Sequence, residues 1–189
     1  MQRSLSSLAL THDFIARHVK PGDFCIDATA GRGHDAAFLC SLVGEGGRVL
    51  AFDIQQAAVE STSALLRERG YDKIGRAVLD SHANMAAYAE PGTVDCIVFN
   101  FGWLPGGDHS VNTRAESSIA ALEAGLTLLR PGGVMSLCIY YGRDTGYAER
   151  DALLAWLSAL DCRTISVLCC NFINRPNDPP IPIFLFKEG

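Results

Sequence analysis

At 189 residues, 48% of them apolar and 20% charged, the chain can bury one substantial core and is too short for two ordinary domains. Its formal charge of -5 excludes a global attraction to nucleic acid, so any RNA partner has to be held by a local patch. No apolar run approaches the length needed to cross a bilayer, and the serine-broken N-terminus lacks a small-residue cleavage site, so a cytoplasmic protein without a signal peptide is expected.

In chain order, apolar residues at Leu5, Leu8, Ala9, Phe14, Ile15 and Val19 recur at helical spacing until Pro21-Gly22. This predicts an N-terminal helix within 1–20, ahead of a core over 21–189. Residues 24–26, 49–52, 77–79, 94–99 and 134–140 are short apolar β-rich runs, spaced as successive β-α units. Helical patterns lie between them at 35–42, 55–69, 117–129 and 147–160, the second stopped by Gly70 and the third by Pro131-Gly132-Gly133. In the last of these, Trp156 with Leu153, Leu154, Leu157 and Leu160 reads as core or interface. Two final β-rich runs, 163–173 and 181–187, are joined by an Asn/Pro loop too short for a crossover helix, so they should pair antiparallel. The expected fold is α/β, a single doubly wound domain with a mostly parallel sheet and a C-terminal antiparallel hairpin. Seven cysteines without a C-x-x-C pair or matching histidine spacing read mostly as buried thiols, and no metal is predicted.

Ligands in such sheets bind beyond the carboxyl ends of the strands. The first of these ends carries Asp27-Ala28-Thr29-Ala30-Gly31-Arg32-Gly33-His34-Asp35-Ala36, with Asp53 at the end of the next strand. Gly31, Gly33 and Ala36 satisfy the dinucleotide pattern G-x-G-x-x-G/A literally, so a NAD-linked oxidoreductase has to be weighed. Asp27 argues against it: a carboxylate before the glycines repels a pyrophosphate and suits a ligand with a cationic amino-acid tail. S-adenosylmethionine is such a ligand. The D-x-x-x-G-x-G run with its following acid resembles the first two motifs of class I S-adenosylmethionine-dependent methyltransferases. That resemblance implies a glycine turn close to the cofactor and Asp53 on the ribose hydroxyls. Asp27, Thr29, Gly31, Gly33, His34, Asp35, Asp53, Ile54, Gln55, Ser81, His82 and Asn100 form the expected cofactor set, with His82 near the adenine.

The fourth strand runs into Asn100-Phe101-Gly102-Trp103-Leu104-Pro105-Gly106-Gly107-Asp108, a loop dense in glycine, aromatic and amide residues. Asn100 to Trp103 resemble the [DN]-P-P-[YFW] motif of amino-group methyltransferases, with Gly102 where a proline is usual. In that chemistry the Asn oxygen and a following carbonyl accept the N–H bonds of the amine while the aromatic ring stacks on the base. The expected catalytic set is Asn100, Gly102, Trp103 and Asp108, with Asp108 or a Tyr140-linked water as proton acceptor. His34, His82 and His109 read as hydrogen-bonding loop residues rather than as a base.

The glycine run, Ala51-Phe52-Asp53-Ile54-Gln55, Ser81-His82, the Asn100 loop and Asn171 through Pro180 together resemble a narrower group over nearly the whole chain. This is the bacterial tRNA 5-(aminomethyl)-2-thiouridine methyltransferase family (MnmM, YtqB-like), long labelled rRNA methylases. The doubly wound sheet with its closing hairpin resembles the class I methyltransferase core, seven strands in the order 3-2-1-4-5-7-6, and the narrower resemblance implies a homodimer and methylation of the aminomethyl group at the tRNA wobble position. It departs at Arg32, where an Asn is common, and at Tyr140-Tyr141-Gly142, where Tyr-His-Gly is common. Arg32, Trp103, Tyr140, Arg143, Arg175 and Asn177 are the expected contacts to the anticodon loop, with Arg114 on the same edge. A methyltransferase for ribosomal RNA or a small amine shares the same cofactor site and is the alternative.

Overall fold

The computed structural model describes residues 5–102, 115–142 and 146–189. A seven-stranded sheet runs through the molecule in the order β3-β2-β1-β4-β5-β7-β6. Its strands are β1 (Phe24–Asp27), β2 (Arg48–Asp53), β3 (Gly75–Leu79), β4 (Val94–Phe101), β5 (Leu129–Ile139), β6 (Ile165–Cys169) and β7 (Ile181–Lys187). All neighbouring pairs are parallel except those of β7, which runs antiparallel to both β5 and β6. The expected strand order and the closing antiparallel pair are both present.

Alternation along the strands divides the core between two faces. Cys25, Val49, Ala51, Cys96 and Val98 pack under helices α1 (Ser7–His18), α2 (His34–Val43) and α3 (Gln56–Glu68). Ile26, Leu50, Phe52, Ile97 and Phe99 pack against α4 (Ala115–Leu128), α5 (Tyr147–Ser158) and a short 3-10 helix, His82–Ala87. Trp156 is packed at the margin of this second face. Among the described residues, no helix is long and apolar enough to cross a membrane.

Three elements differ from the sequence pattern. The 3-10 helix has no apolar periodicity to announce it; it is nucleated by Ser81, whose Oγ accepts from the Ala83 amide at 3.2 Å. β5 begins immediately after α4 and runs through Pro131-Gly132-Gly133, which was expected only to stop the helix. Val94 pairs with Leu129 and Cys96 with Val134, so the intervening β5 residues bulge outward, where Arg130 pairs with Asp95. β6 is shorter than its apolar run: it ends at Cys169, and its outer residues Val167, Leu168 and Cys169 are exposed at the sheet margin. Cys25, Cys40, Cys96 and Cys138 are buried, whereas Cys162 and Cys169 are exposed.

α1 is anchored at both ends of its inner face. Phe14 stacks on Phe184 of β7 with ring centroids 4.1 Å apart, and Ser7 Oγ donates to the Pro180 carbonyl at 2.7 Å. α2 starts at Gly33, whose φ is +81°. A Cβ there would lie 2.8 Å from Thr62 Cα of α3, so the close approach of two helices, as well as the turn, requires glycine. Gly33→Ala is expected to lower stability by about 2 kcal/mol or more, read from urea unfolding, since left-handed backbone strain and steric overlap add. An unchanged midpoint would show that α3 can withdraw freely.

Candidate active site

The carboxyl ends of β1, β2 and β4 bring most of the sequence-predicted residues to one edge. β1 ends in Asp27, which is 0% exposed. Its Oδ1 accepts from the Thr29 amide at 3.1 Å, while Oδ2 has no hydrogen-bond partner among the described residues. Burial in this position, reinforced by the negative charge of Asp35, pushes the Asp27 carboxyl up to about 8, against the pull of backbone amides. A buried carboxylate oxygen without a partner is costly unless a cation or donor meets it.

Asp53, at the end of β2, is differently held. Its Oδ2 accepts from the Gly31 amide and its Oδ1 from the Gln55 amide, both at 2.9 Å. Each oxygen keeps a second lone pair for a hydroxyl donor. Gly31 has φ +51° and carries the chain across this carboxylate. Beside it Ile54 is 65% exposed, an apolar side chain at a polar edge, and Gln55 caps α3 without a side-chain bond. Arg32 and His34 are exposed on the glycine turn. The first turn of α2 has no side-chain cap, so its N-terminal amides favour an anion.

After β3, Ser81 and His82 lie at the same edge. His82 Nδ1 bonds the Ala28 carbonyl at 3.2 Å, and its ring sits edge-on to Phe99 and Phe101. Burial pushes its pKa below the ordinary histidine value, which favours the neutral ring, with Nδ1 engaged by the Ala28 carbonyl.

β4 delivers Asn100. Its amide N–H donates to Thr29 Oγ1 at 2.7 Å, and its side-chain Nδ2 donates to Asp35 Oδ2 at 2.9 Å. The turn after β1, the first turn of α2 and the end of β4 are thereby tied together. Gly102 follows with φ +109°, and a Cβ there would lie 2.3 Å from the Tyr140 carbonyl oxygen. Proline is fixed near -65° and cannot adopt this conformation, which accounts for the glycine at the position where amino-group methyltransferases usually have proline. Trp103, Asp108, His109, Arg114 and Arg143 lie outside the described residues.

Tyr140 continues from β5, and its amide bonds the Phe101 carbonyl at 2.8 Å. Burial raises its hydroxyl above the ordinary tyrosine value, so Tyr140 is a proton donor at neutral pH rather than a base. Arg175 stacks on Phe172 at 3.8 Å and donates to the Leu5 carbonyl at 2.6 Å, which fastens its loop to the start of α1. Asn177 and Asp178 have φ of 64° and 47°, and Asp178 accepts from Tyr147 at 2.8 Å. The 170–180 loop therefore meets this edge, as its position after β6 requires. Sequence reasoning missed His12, which bonds Asp35 Oδ1 from α1 at 2.9 Å. The available signal was a histidine next to Thr11 and two positions before Phe14, both buried, in an amphipathic helix. Among the described residues, no group of three or more His, Cys, Asp or Glu could hold a metal ion.

Comparison with known proteins places this geometry. Residues 49–186 match the family described as "Putative rRNA methylase". The chain belongs to this rRNA methylase family. A solved "putative rRNA-methylase" from Clostridium thermocellum is 42% identical, with a TM-score of 0.94 over 98% of this chain and 100% of that one. A "putative methyltransferase" from Streptococcus mutans, solved in complex with SAH (S-adenosylhomocysteine), is 30% identical, with a TM-score of 0.88 over 97% of this chain and 99% of that one. The tRNA (mnm(5)s(2)U34)-methyltransferase, chloroplastic, of Arabidopsis thaliana is 37% identical over 181 residues, 90% of this chain. The chain spans 65% of the length of that relative. The residues present fit S-adenosylmethionine: an unpartnered buried Asp27 oxygen for an ammonium, Asp53 for ribose hydroxyls and uncapped α2 amides for a carboxylate.

The state of Asp27 has a measurable consequence. Because its folded pKa is raised above the unfolded value, the folded form holds the proton more tightly. Its contribution to stability is present below about pH 4 and is lost as pH rises toward about 8. Asp27→Asn is expected to abolish this decline and to exceed the wild type by about 1 kcal/mol or more at pH 8. Parallel pH–stability curves for the two proteins, from urea unfolding at pH 5 to 8, would mean that Asp27 titrates normally.

Proposed function

We propose that the protein is an S-adenosylmethionine-dependent N-methyltransferase that methylates the aminomethyl group of 5-aminomethyl-2-thiouridine at the tRNA wobble position. The observation that carries this reading is the Asn100 side chain, held by Asp35 and adjoining the glycine turn through Thr29. An amide on the floor of a methyl-donor site is suited to an amine acceptor, and the Arabidopsis relative named for that wobble nucleoside supports the RNA substrate.

Bound S-adenosylmethionine supplies a methyl group already activated by its sulfonium. The protein's work is then positioning and electrostatics. Asp27, giving up the proton that it otherwise keeps to about pH 8, would accept the ammonium of the methionyl tail at its buried Oδ2, and Asp53 would take the ribose hydroxyls. Ile54 offers an apolar flank to the adenine. Asn100 Oδ1 would accept an N–H of the substrate amine and so fix the direction of the nitrogen lone pair. The amine must lose its ammonium proton before its nitrogen can accept the methyl group. Arg32, Arg143 and Asn177 are the proposed contacts to the anticodon loop, with Arg175 holding the loop on which Asn177 sits.

The exposed apolar margin of β6, Val167 and Leu168 with Ile173 94% exposed nearby, supports a homodimer formed through this edge. With buried free thiols at Cys25, Cys40, Cys96 and Cys138, a single cytoplasmic domain is the setting this reading implies. The family description favours a second reading, methylation of ribosomal RNA at the same donor site.

Mass spectrometry of nucleosides from a strain lacking the gene distinguishes the two. Accumulation of the unmethylated aminomethyl nucleoside in tRNA is the expected result; unchanged tRNA with a lost methyl mark in ribosomal RNA would replace the first reading by the second. In the purified enzyme, Asn100→Ala is expected to lower kcat by about 100-fold or more while S-adenosylmethionine affinity changes little. Equal loss of cofactor affinity would remove Asn100 from the acceptor side.

A further inference from the structure

Asn100 is connected to α1 through one carboxylate. Asp35 Oδ2 accepts from Asn100 Nδ2 and Asp35 Oδ1 bonds His12 Nε2, each at 2.9 Å. The His12 ring lies flat on Phe38 of α2, with centroids 4.1 Å apart and planes 13° from parallel. His12 is therefore fixed by a stack on one side and by a hydrogen bond at its tip.

The chemistry of this chain has a direction. Burial raises the Asp35 carboxyl, but the bonds from His12 and Asn100 outweigh it and hold the group below the ordinary carboxylate value. An ionised carboxylate only accepts. The Asn100 amide consequently turns its NH2 group to Asp35, and its oxygen is turned away; the flipped amide would set oxygen against oxygen. With the Asn100 backbone fixed by Thr29 Oγ1, the side-chain rotamer and the amide orientation are both determined.

We infer that His12 is a positioning residue for the methyl acceptor, fixing through Asp35 the orientation in which the Asn100 amide presents oxygen to the substrate. This inference rests on the reading of Asn100 as the group that meets the amine. An amide presented oxygen-first selects a hydrogen-bond donor such as an amine N–H and disfavours an acceptor atom at the same place. His12 thus acts on the class of substrate without touching it. Because α1 is fastened by Ser7 to Pro180 and by Arg175 to Leu5, the helix that carries His12 is braced against the 170–180 loop at the same edge.

The test uses three His12 variants, tritiated S-adenosylmethionine and tRNA isolated from a strain lacking the gene. His12→Phe keeps the stack on Phe38 but has no donor, His12→Gln keeps a donor at similar reach, and His12→Ala removes both. His12→Phe and His12→Ala are expected to lower kcat by roughly 10-fold or more, with KM and cofactor affinity within about threefold of wild type, and His12→Gln to recover most of the loss. The side-chain amide protons of Asn100, followed by NMR in the protein without RNA, should exchange roughly 10-fold faster in the Phe and Ala variants than in wild type or the Gln variant. Equal kcat and equal amide exchange in the Gln and Phe variants would overturn the inference, since the donor would then not matter. If the Phe variant turns over like wild type while Asn100→Ala is inactive, the positioning role is wrong and the acceptor reading stands. If Asn100→Ala itself remains active, the acceptor reading has failed.

Discussion

Three carboxylates, Asp27, Asp35 and Asp53, are gathered at the ends of two adjacent strands and the first turn of one helix, and the rest of the site is organised around their mutual repulsion. Each is relieved differently. Asp53 is held by two backbone amides, Asp35 by a histidine and an amide side chain, and Asp27 by the Thr29 amide and by keeping its proton to about pH 8, with its other oxygen left unpartnered. Concentrated negative charge in a half-buried place is unstable unless something positive completes it. The arrangement therefore leaves a preference for a cationic ligand at one defined oxygen, beside a glycine turn whose shape is determined by helix packing as much as by ligand approach.

Much of the fold was legible because its physics is periodic. Apolar strands buried on both faces read as continuous runs, helices read as stripes, and the short link between the last two runs excludes a crossover. The places that were not legible have local causes. Pro131-Gly132-Gly133 signals a helix stop in sequence, yet the chain enters β5 before reaching it, because Arg130 and Asp95 hold the bulge against β4. The 3-10 helix at His82 depends on a serine hydroxyl rather than a pattern. The apolar run after Asp161 predicted a longer β6, but pairing with β7 ends at Cys169 opposite Ile183.

The candidate site was legible in its identities and less so in its connections. Asp27, Asp53 and Asn100 follow from spacing at strand ends, but the role of Gly33 against Thr62 is invisible without the α3 packing. His12 lies 23 positions from Asp35, and no local motif links the two. Gly102 illustrates a departure that acquires meaning only in three dimensions: its positive φ and the neighbouring Tyr140 carbonyl exclude the proline that a motif comparison would supply. Tyr140, the expected link to a proton-accepting water, is half-buried, and burial raises its hydroxyl above the ordinary tyrosine value.

The placement of β7 between β5 and β6 also ties the last strand of the chain to the site. β7 follows β6 in the chain yet lies between it and β5, so residues 181–187 join the sheet margin to its parallel part. Phe14 of α1 has its stacking partner on that same strand, at Phe184. The helix that bears His12 is thus seated on the last strand of the chain, and the orientation of the Asn100 amide is coupled through Asp35 to that strand. The contact of Asp53 with the Gly31 amide rests instead on β2 and the turn after β1. A change confined to residues 181–187 would therefore reach the Asn100 end of the edge before it reached the Asp53 end.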